Sequence, residues 1–306
     1  ELVAEDGKCS GQSAVTAAMK LIDVDAMRYI IGGHCSPETM AIAPLAERKR
    51  VVLLAASTSN PYLTPAGDYI FRITVPNTNG AEKMAKHAYE KRKLRRIGIV
   101  FAETDYARPA AEHFKTVFEK LGGKAVLAES FTPSETDFRP MLMRLKTKGA
   151  EGIYIGVQMP ETADLLMKQT HELNIKLPHY GNEITGWTLA TTTVEPSYYD
   201  GLIYAEPQFD LESARTKQFV ARFKSRYGVQ SLPMAETTAE AYDAVMVLAQ
   251  ALRVCGEDPQ AVKKWLYSVR DYEGVSGKFS IDQNGDGVRN HVLKKIERGR
   301  VIILAE

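Results

Sequence analysis

Residues 30–61, IIGGHCSPETMAIAPLAERKRVVLLAASTSNP, decide the fold. The run IIGGHC is apolar, too short for a helix, and has the composition of a buried parallel strand. In SPETMAIAPLAER, Ser36 is placed to cap a helix, Pro37 falls at the first helical position and Glu38 sits at the positive end. VVLLA is a second buried strand, broken at Ser57-Thr58-Ser59-Asn60-Pro61. Two parallel strands therefore bring hydroxyls and backbone N–H groups to one sheet edge, where open α/β sheets bind ligands. Neither turn carries Lys or Arg, so these tips suit a small carboxylate better than a polyphosphate.

Strand and helix alternate outward from this stretch. Before it, ELVAED reads as a strand and Gln12 to Leu21 as a helix. After it, Gly67 to Val75 alternates like a strand with one exposed face, and a helix is expected over Gly80 to Lys91. IGIVFA (97–102), KAVLAES, GIYIGV, LPHYGN and GLIYAEP are further strands separated by helical patterns, with Glu183 and Trp187 in a loop. Helices follow near 212–227, 235–254 and 259–269, and the tail from Gly277 reads as a hairpin around Asn-Gly and Asp-Gly. This order predicts an α/β fold with mostly parallel sheets covered on both faces. Breaks near Pro76-Asn77, Pro207 and Gly274–Gly277 suggest a chain that crosses three times between two lobes.

At 306 residues the chain has room for two cores, and its net charge of +1 gives no electrostatic case for nucleic acid. No run is long and apolar enough to span a membrane, which predicts a soluble globular protein. Three cysteines lack metal spacing. Spacing alone leaves Cys9 and Cys35 open as a disulfide or as two buried thiols, and Cys255 reads as a lone thiol.

Several motifs reduce to bland readings. Gly32-Gly33 lacks the spacing of a dinucleotide loop. Asp282-x-Asn284-x-Asp286-Gly287 starts like a calcium loop, but Leu293 stands where the bidentate Glu is required, so a hairpin turn is expected. His34 beside Cys35 would point to the opposite strand face, and no nucleophile–base pair emerges. What remains is a set of polar groups that follow successive strands: Ser36, Thr58, Ser59, Tyr106, Gln158 and Glu183.

The stretches Asp6-Gly7-Lys8-Cys9, IGGHCS, VVLLAASTSNPYLT, YIFRITVPN, IGIVFAETDYA, FTPSETDF, GNE (181–183) and AEAYDAV run in order along nearly the whole chain. Together they resemble the solute-binding proteins of branched-chain amino-acid ABC transporters, which have the type I periplasmic binding protein fold. The resemblance implies two Rossmann-like lobes joined by a three-crossover hinge. Residues 1–76 with 207–276 would form the first lobe, and 77–206 with 277–306 the second. It implies a disulfide between Cys9 and Cys35, formed in an oxidising, periplasmic or otherwise extracytoplasmic compartment. It also implies a ligand carboxylate held at Ser36 and Ser59, an ammonium held at the Thr58 carbonyl and Glu183, and Tyr106 closing from the second lobe. Gln158 departs from the family, whose branched-chain binders often carry a tyrosine there.

The implied function is a non-enzymatic solute-binding protein that takes an amino acid, needs no cofactor or metal, and delivers its ligand to permease subunits. A binder of a small carboxylic or aromatic acid or amide is the alternative; an enzyme acting on a small carboxylate is less favoured. Glu183 discriminates between these, because a buried carboxylate calls for an ammonium whereas a surface loop Glu does not. The family also has a strand and helix ahead of ELVAED that this sequence does not contain. The expectation is therefore a gap in the first lobe's sheet, filled by another segment or an oligomeric partner, or else a first lobe of low stability.

Overall fold

The computed structural model describes residues 2–304. In chain order the elements are α1 (Gly11–Met19), β1 (Tyr29–Ile31), α2 (Ser36–Lys49), β2 (Val52–Ala55), β3 (Ile70–Arg72), α3 (Asn77–Lys86), β4 (Arg96–Ala102), α4 (Ala107–Lys120) and β5 (Lys124–Phe131). They continue with α5 (Arg139–Thr147), β6 (Gly152–Gly156), α6 (Pro160–Glu172), β7 (His179–Gly181), α7 (Glu183–Trp187), β8 (Ile203–Pro207), α8 (Ala214–Tyr227), α9 (Ala235–Cys255) and α10 (Pro259–Tyr267). Next come the strands β9 (Tyr272–Glu273), β10 (Lys278–Ile281), β11 (Gly287–Val288), β12 (His291–Glu297) and β13 (Arg300–Ile303).

These elements form two compact units. One contains the chain up to Pro76 together with Gln208–Asn290; the other contains Asn77–Pro207 and the segment from His291. The third crossing thus falls after Asn290 rather than at residue 276, and residues 277–290 belong to the first unit. The physical reason lies in the tail, which forms two hairpins instead of one. β10 and β11 pair antiparallel around the Asn284-Gly285 turn, whereas β12 pairs antiparallel with β8 and β13.

The first unit is built on a parallel sheet of order β1-β2-β3. Val52 and Leu54 of β2 enter one apolar cluster with Phe71, Val247 and Leu266, while Leu53 and Ala55 enter the other with Ile42 and Leu45. The unbroken apolar run of β2 is thereby explained, since both faces are covered. β1 pairs with β2, Tyr29 opposite Val52, and stands at the edge of this sheet, with no ladder partner on its other side among the described residues. Of the expected strand ELVAED, Glu1 lies outside the described residues, and residues 2–6 are exposed and form no strand, without ladder partners to define one.

Gly67 to Val75 departs from the expected one-sided exposure, because residues 69–75 are all buried. The polar residue at its centre, Arg72, is fully buried (0 % exposed) and neutralised from the β10–β11 turn. Its Nε donates to Asp286 Oδ1 at 2.7 Å, and its Nη2 donates to Thr64 Oγ1 at 2.8 Å. The same turn docks its backbone on β3, with Arg72 N–H donating to the Gly285 carbonyl at 2.9 Å. A Cβ at Gly285, which has φ +82°, would lie 2.6 Å from the Ile70 carbonyl oxygen, so this close approach requires glycine.

The second unit holds a seven-stranded sheet of order β13-β12-β8-β7-β6-β4-β5, parallel from β8 through β5. Alternate residues of β6 feed its two faces: Ile153 and Ile155 pack with Leu142 and Leu166, and Tyr154 packs with Phe114 and Tyr180. The C-terminal ends of β4, β6 and β7 therefore lie side by side along one sheet edge.

Candidate functional site

In the first unit the candidate residues follow β1 and β2. Ser36 is the first residue of α2, not its cap; Cys35 precedes the helix and Pro37 is the second helical residue. The helix start is closed instead by Glu38, whose Oε2 accepts from Cys35 N at 2.9 Å. Glu38 Oε1 accepts from Cys9 N at 2.9 Å, so one buried carboxylate ties both half-cystines. The Cys9–Cys35 disulfide is formed, with Cα atoms 5.3 Å apart, and Cys255 is free. A Cβ at Gly33 would come within 2.6 Å of Glu38 Cβ, which explains a glycine beside this carboxylate. With Glu38 occupied in this way, the Ser36 hydroxyl has no hydrogen-bond partner among the described residues, although it is buried.

The turn after β2 is held from beneath. Thr58 Oγ1 meets Thr39 Oγ1 at 2.6 Å and the Gly33 carbonyl at 3.2 Å, which links the two turns to each other. Arg72 Nη1 donates to the carbonyls of Asn60 at 2.7 Å and Thr58 at 3.3 Å. The Thr58 side chain and carbonyl are both engaged inside the unit. Ser59 resembles Ser36: buried, with a hydroxyl that finds no partner among the described residues. Both hydroxyls thus carry a desolvation cost that no bond within the described unit offsets, the usual mark of a group kept for a ligand.

In the second unit, Tyr106 precedes α4 after β4, Gln158 follows β6, and Glu183 opens α7 after β7. The expected loop at 183–187 is a helical turn, because Asn182 caps it: its Oδ1 accepts from Thr185 N at 3.2 Å. Asn182 Nδ2 also donates to the Val157 carbonyl at 2.7 Å, which fixes the segment carrying Glu183 against the one carrying Gln158. Tyr106 is anchored through its own carbonyl, which accepts from Asn77 Nδ2 at 2.8 Å. Burial pushes the Tyr106 phenol well above its ordinary pKa, and the Glu183 carboxylate adds to the rise.

Sequence reasoning does not single out Tyr154. It lies in the middle of β6, where apolar strand neighbours conceal it, yet its hydroxyl is buried without a partner among the described residues. Burial and, after it, the charge of Glu183 raise its pKa, which puts this phenol in the same electrostatic neighbourhood. The buried Gln158 Oε1 also lacks a partner among the described residues. Gln158 thus adds a second unpartnered polar atom on the sheet edge that carries Tyr106 and Glu183.

Other features do not join either half. A cavity of about 1030 Å³ in the first unit runs between α8 and α9, lined by Phe219, Phe223, Tyr242 and Met246 with Arg222 and Arg226, and contains none of the candidate residues. The apparent calcium loop is the turn that holds Arg72, and no metal-binding group of His, Cys, Asp or Glu occurs among the described residues. No helix among them is long and apolar enough to cross a membrane.

The profile of the periplasmic binding protein family matches residues 1–300. The chain belongs to that family. Among curated relatives, the leucine-, isoleucine-, valine-, threonine- and alanine-binding protein of Pseudomonas aeruginosa is 26% identical over 289 residues, covering 94% of this chain and 75% of that protein. The Leu/Ile/Val-binding protein of Escherichia coli K12 is 26% identical over 288 residues, covering 94% and 76%. Among solved structures, a leucine binding protein of Thermotoga maritima matches with a TM-score of 0.89 at 25% identity, over 100% of this chain and 87% of that one. A solute binding protein of an ABC transporter from Rhodopseudomonas palustris, solved with 3,4-dihydroxybenzoic acid, matches the fold with a TM-score of 0.85 at 23% identity, over 100% and 85%. The fold expected from the resemblance, the type I periplasmic binding protein, is the fold of this chain.

Proposed function

We propose that this family member binds an α-amino acid in the periplasm, or another extracytoplasmic space, and hands it to the permease of an ABC importer. Ser36 and Ser59 would take the carboxylate, the Thr58 carbonyl and Glu183 the ammonium, and Tyr106 would cover the ligand. The observation that carries the reading is the pair of buried hydroxyls at Ser36 and Ser59, partnerless among the described residues, on turns free of Lys and Arg. A carboxylate supplies the acceptor those hydroxyls lack. Relatives that bear the names of leucine, isoleucine and valine binders support the amino acid as the ligand class.

A second reading is favoured by structural neighbours solved with 3,4-dihydroxybenzoic acid and with benzoate. An aromatic acid would use the same two hydroxyls and lie among Tyr106 and Tyr154, but it offers Glu183 no cation. Titration calorimetry with an amino acid and its des-amino acid separates the two. On the favoured reading the amino acid binds far more tightly, and Glu183→Gln weakens it by about 2–5 kcal/mol, as breaking a buried charge pair does. Equal affinity for both ligands would transfer the assignment to carboxylic or aromatic acids.

A further inference from the structure

We infer that the ligand side chain is polar and uncharged, ending in a hydroxyl or amide, and that Gln158 and Tyr154 select it. This rests on the amino-acid reading above and goes beyond the names of the curated relatives, in which leucine, isoleucine, valine and alanine predominate and threonine is the one side chain with a hydroxyl. Gln158 and Glu183 leave the C-terminal ends of adjacent parallel strands, Ile155 of β6 standing opposite Gly181 of β7. Asn182 fixes the two ends by its 2.7 Å bond to the Val157 carbonyl, so a ligand seated on Glu183 also meets the residue after Val157. Tyr154, four residues before Gln158, is held by its ring against Phe114, with centroids 4.6 Å apart.

The buried Gln158 Oε1 accepts from nothing, and the buried Tyr154 hydroxyl neither donates nor accepts, among the described residues. A Val, Leu or Ile side chain packed on them would leave both unsatisfied in the closed complex, and each such group costs affinity. A ligand N–H or O–H satisfies Gln158 as acceptor, and the oxygen of the same hydroxyl or amide can accept from Tyr154. A second cation is not called for, since neither group is charged. A site that hydrogen-bonds a polar substrate also rejects the apolar isostere far more strongly than an apolar pocket rejects the polar one.

The test is titration calorimetry with near-isosteric pairs: threonine with valine, asparagine with leucine, and tyrosine with phenylalanine. We expect the polar member of at least one pair to bind ten or more times tighter than its partner. Gln158→Met and Tyr154→Phe should each reduce that preference at least threefold. Neither variant should lower the melting temperature of the ligand-free protein, because each removes a group the free protein leaves unsatisfied; a structural role would lower it. Apolar members binding as tightly as polar ones in every pair would overturn the inference while leaving the amino-acid reading standing. Retention of the wild-type preference by both variants would overturn it equally. If no amino acid binds but a des-amino acid does, the amino-acid reading falls, and this inference falls with it.

Discussion

Replacing Arg72 by Met should be among the most damaging single changes in the first unit, and the structure sets the size. Wild-type Arg72 makes three short charge-assisted hydrogen bonds, to Asp286 Oδ1 (2.7 Å), the Asn60 carbonyl (2.7 Å) and Thr64 Oγ1 (2.8 Å), and a longer one to the Thr58 carbonyl (3.3 Å). At roughly 1.5–3 kcal/mol each, the three short bonds set an upper bound of about 5–9 kcal/mol. The wild type already bears the cost of burying a guanidinium, so the difference on removal is smaller, about 3–5 kcal/mol, the range for breaking one side of a buried pair. Most of that loss is the Asp286 carboxylate left without its cation. Urea unfolding followed by Trp265, in a Trp187→Phe background so that only α10 of the first unit reports, measures it. Adding Asp286→Asn to Arg72→Met removes the orphaned charge and should recover about half of the loss. A single-variant cost under about 1 kcal/mol, or a double variant no more stable than the single, would refute the account. Ligand affinity should fall as well, because the turn that carries Ser59 loses its support.

Other outcomes follow from particular groups. Thiol titration of the denatured, unreduced protein should find one reactive cysteine, Cys255, and Cys9→Ser with Cys35→Ser should cost roughly 3–4 kcal/mol for a 26-residue separation. Glu38→Gln keeps the shape but leaves one of two backbone N–H groups without a carboxylate oxygen, so urea midpoints should register a loss of about 1.5–3 kcal/mol. Burial pushes His179 down to about 4, so the unfolded chain takes up this proton near pH 6.5 while the native protein does not. Stability is therefore lost as pH falls from about 6.5 to 4, by about 3 kcal/mol from this group. The stability advantage of the wild type over His179→Gln should shrink by that amount between pH 7 and pH 4.

How much is legible in the sequence depends on whether local pattern or distant chemistry decides the outcome. β2 and β4 are legible because an unbroken apolar run has few alternatives when both faces are covered. β3 is misread from pattern because Arg72 and Thr74 look like a solvent face, and nothing nearby in the chain reveals that Asp286 neutralises the arginine from 214 positions away. ELVAED misleads for the opposite reason: its residues suit a strand, but a strand exists only through a ladder partner, which pattern does not supply. At the site, Ser36, Ser59, Gln158 and Glu183 stand out by their shared position after strands. Tyr154 sits inside a strand, and only the burial of its hydroxyl reveals it.

The same contrast explains why the two half-sites differ in what they determine. In the first unit the side chains of Thr58, Thr39, Glu38 and Arg72 engage one another and the main chain, and the hydroxyls of Ser36 and Ser59 are left without a partner among the described residues. Two hydroxyls on cation-free turns fit any carboxylate, so on the proposed reading this half would set the functional group common to many ligands and leave the side chain to the other. In the second unit the structural bonding is carried by Asn182 and by main-chain atoms, leaving the Gln158 acceptor and the Tyr154 hydroxyl uncommitted near Glu183. Uncommitted groups of differing chemistry are what distinguish one side chain from another. Substitutions at 154 and 158 should accordingly exchange ligands with little loss of stability, whereas substitutions at 38, 58 and 72 should unfold the first unit before they alter its preference.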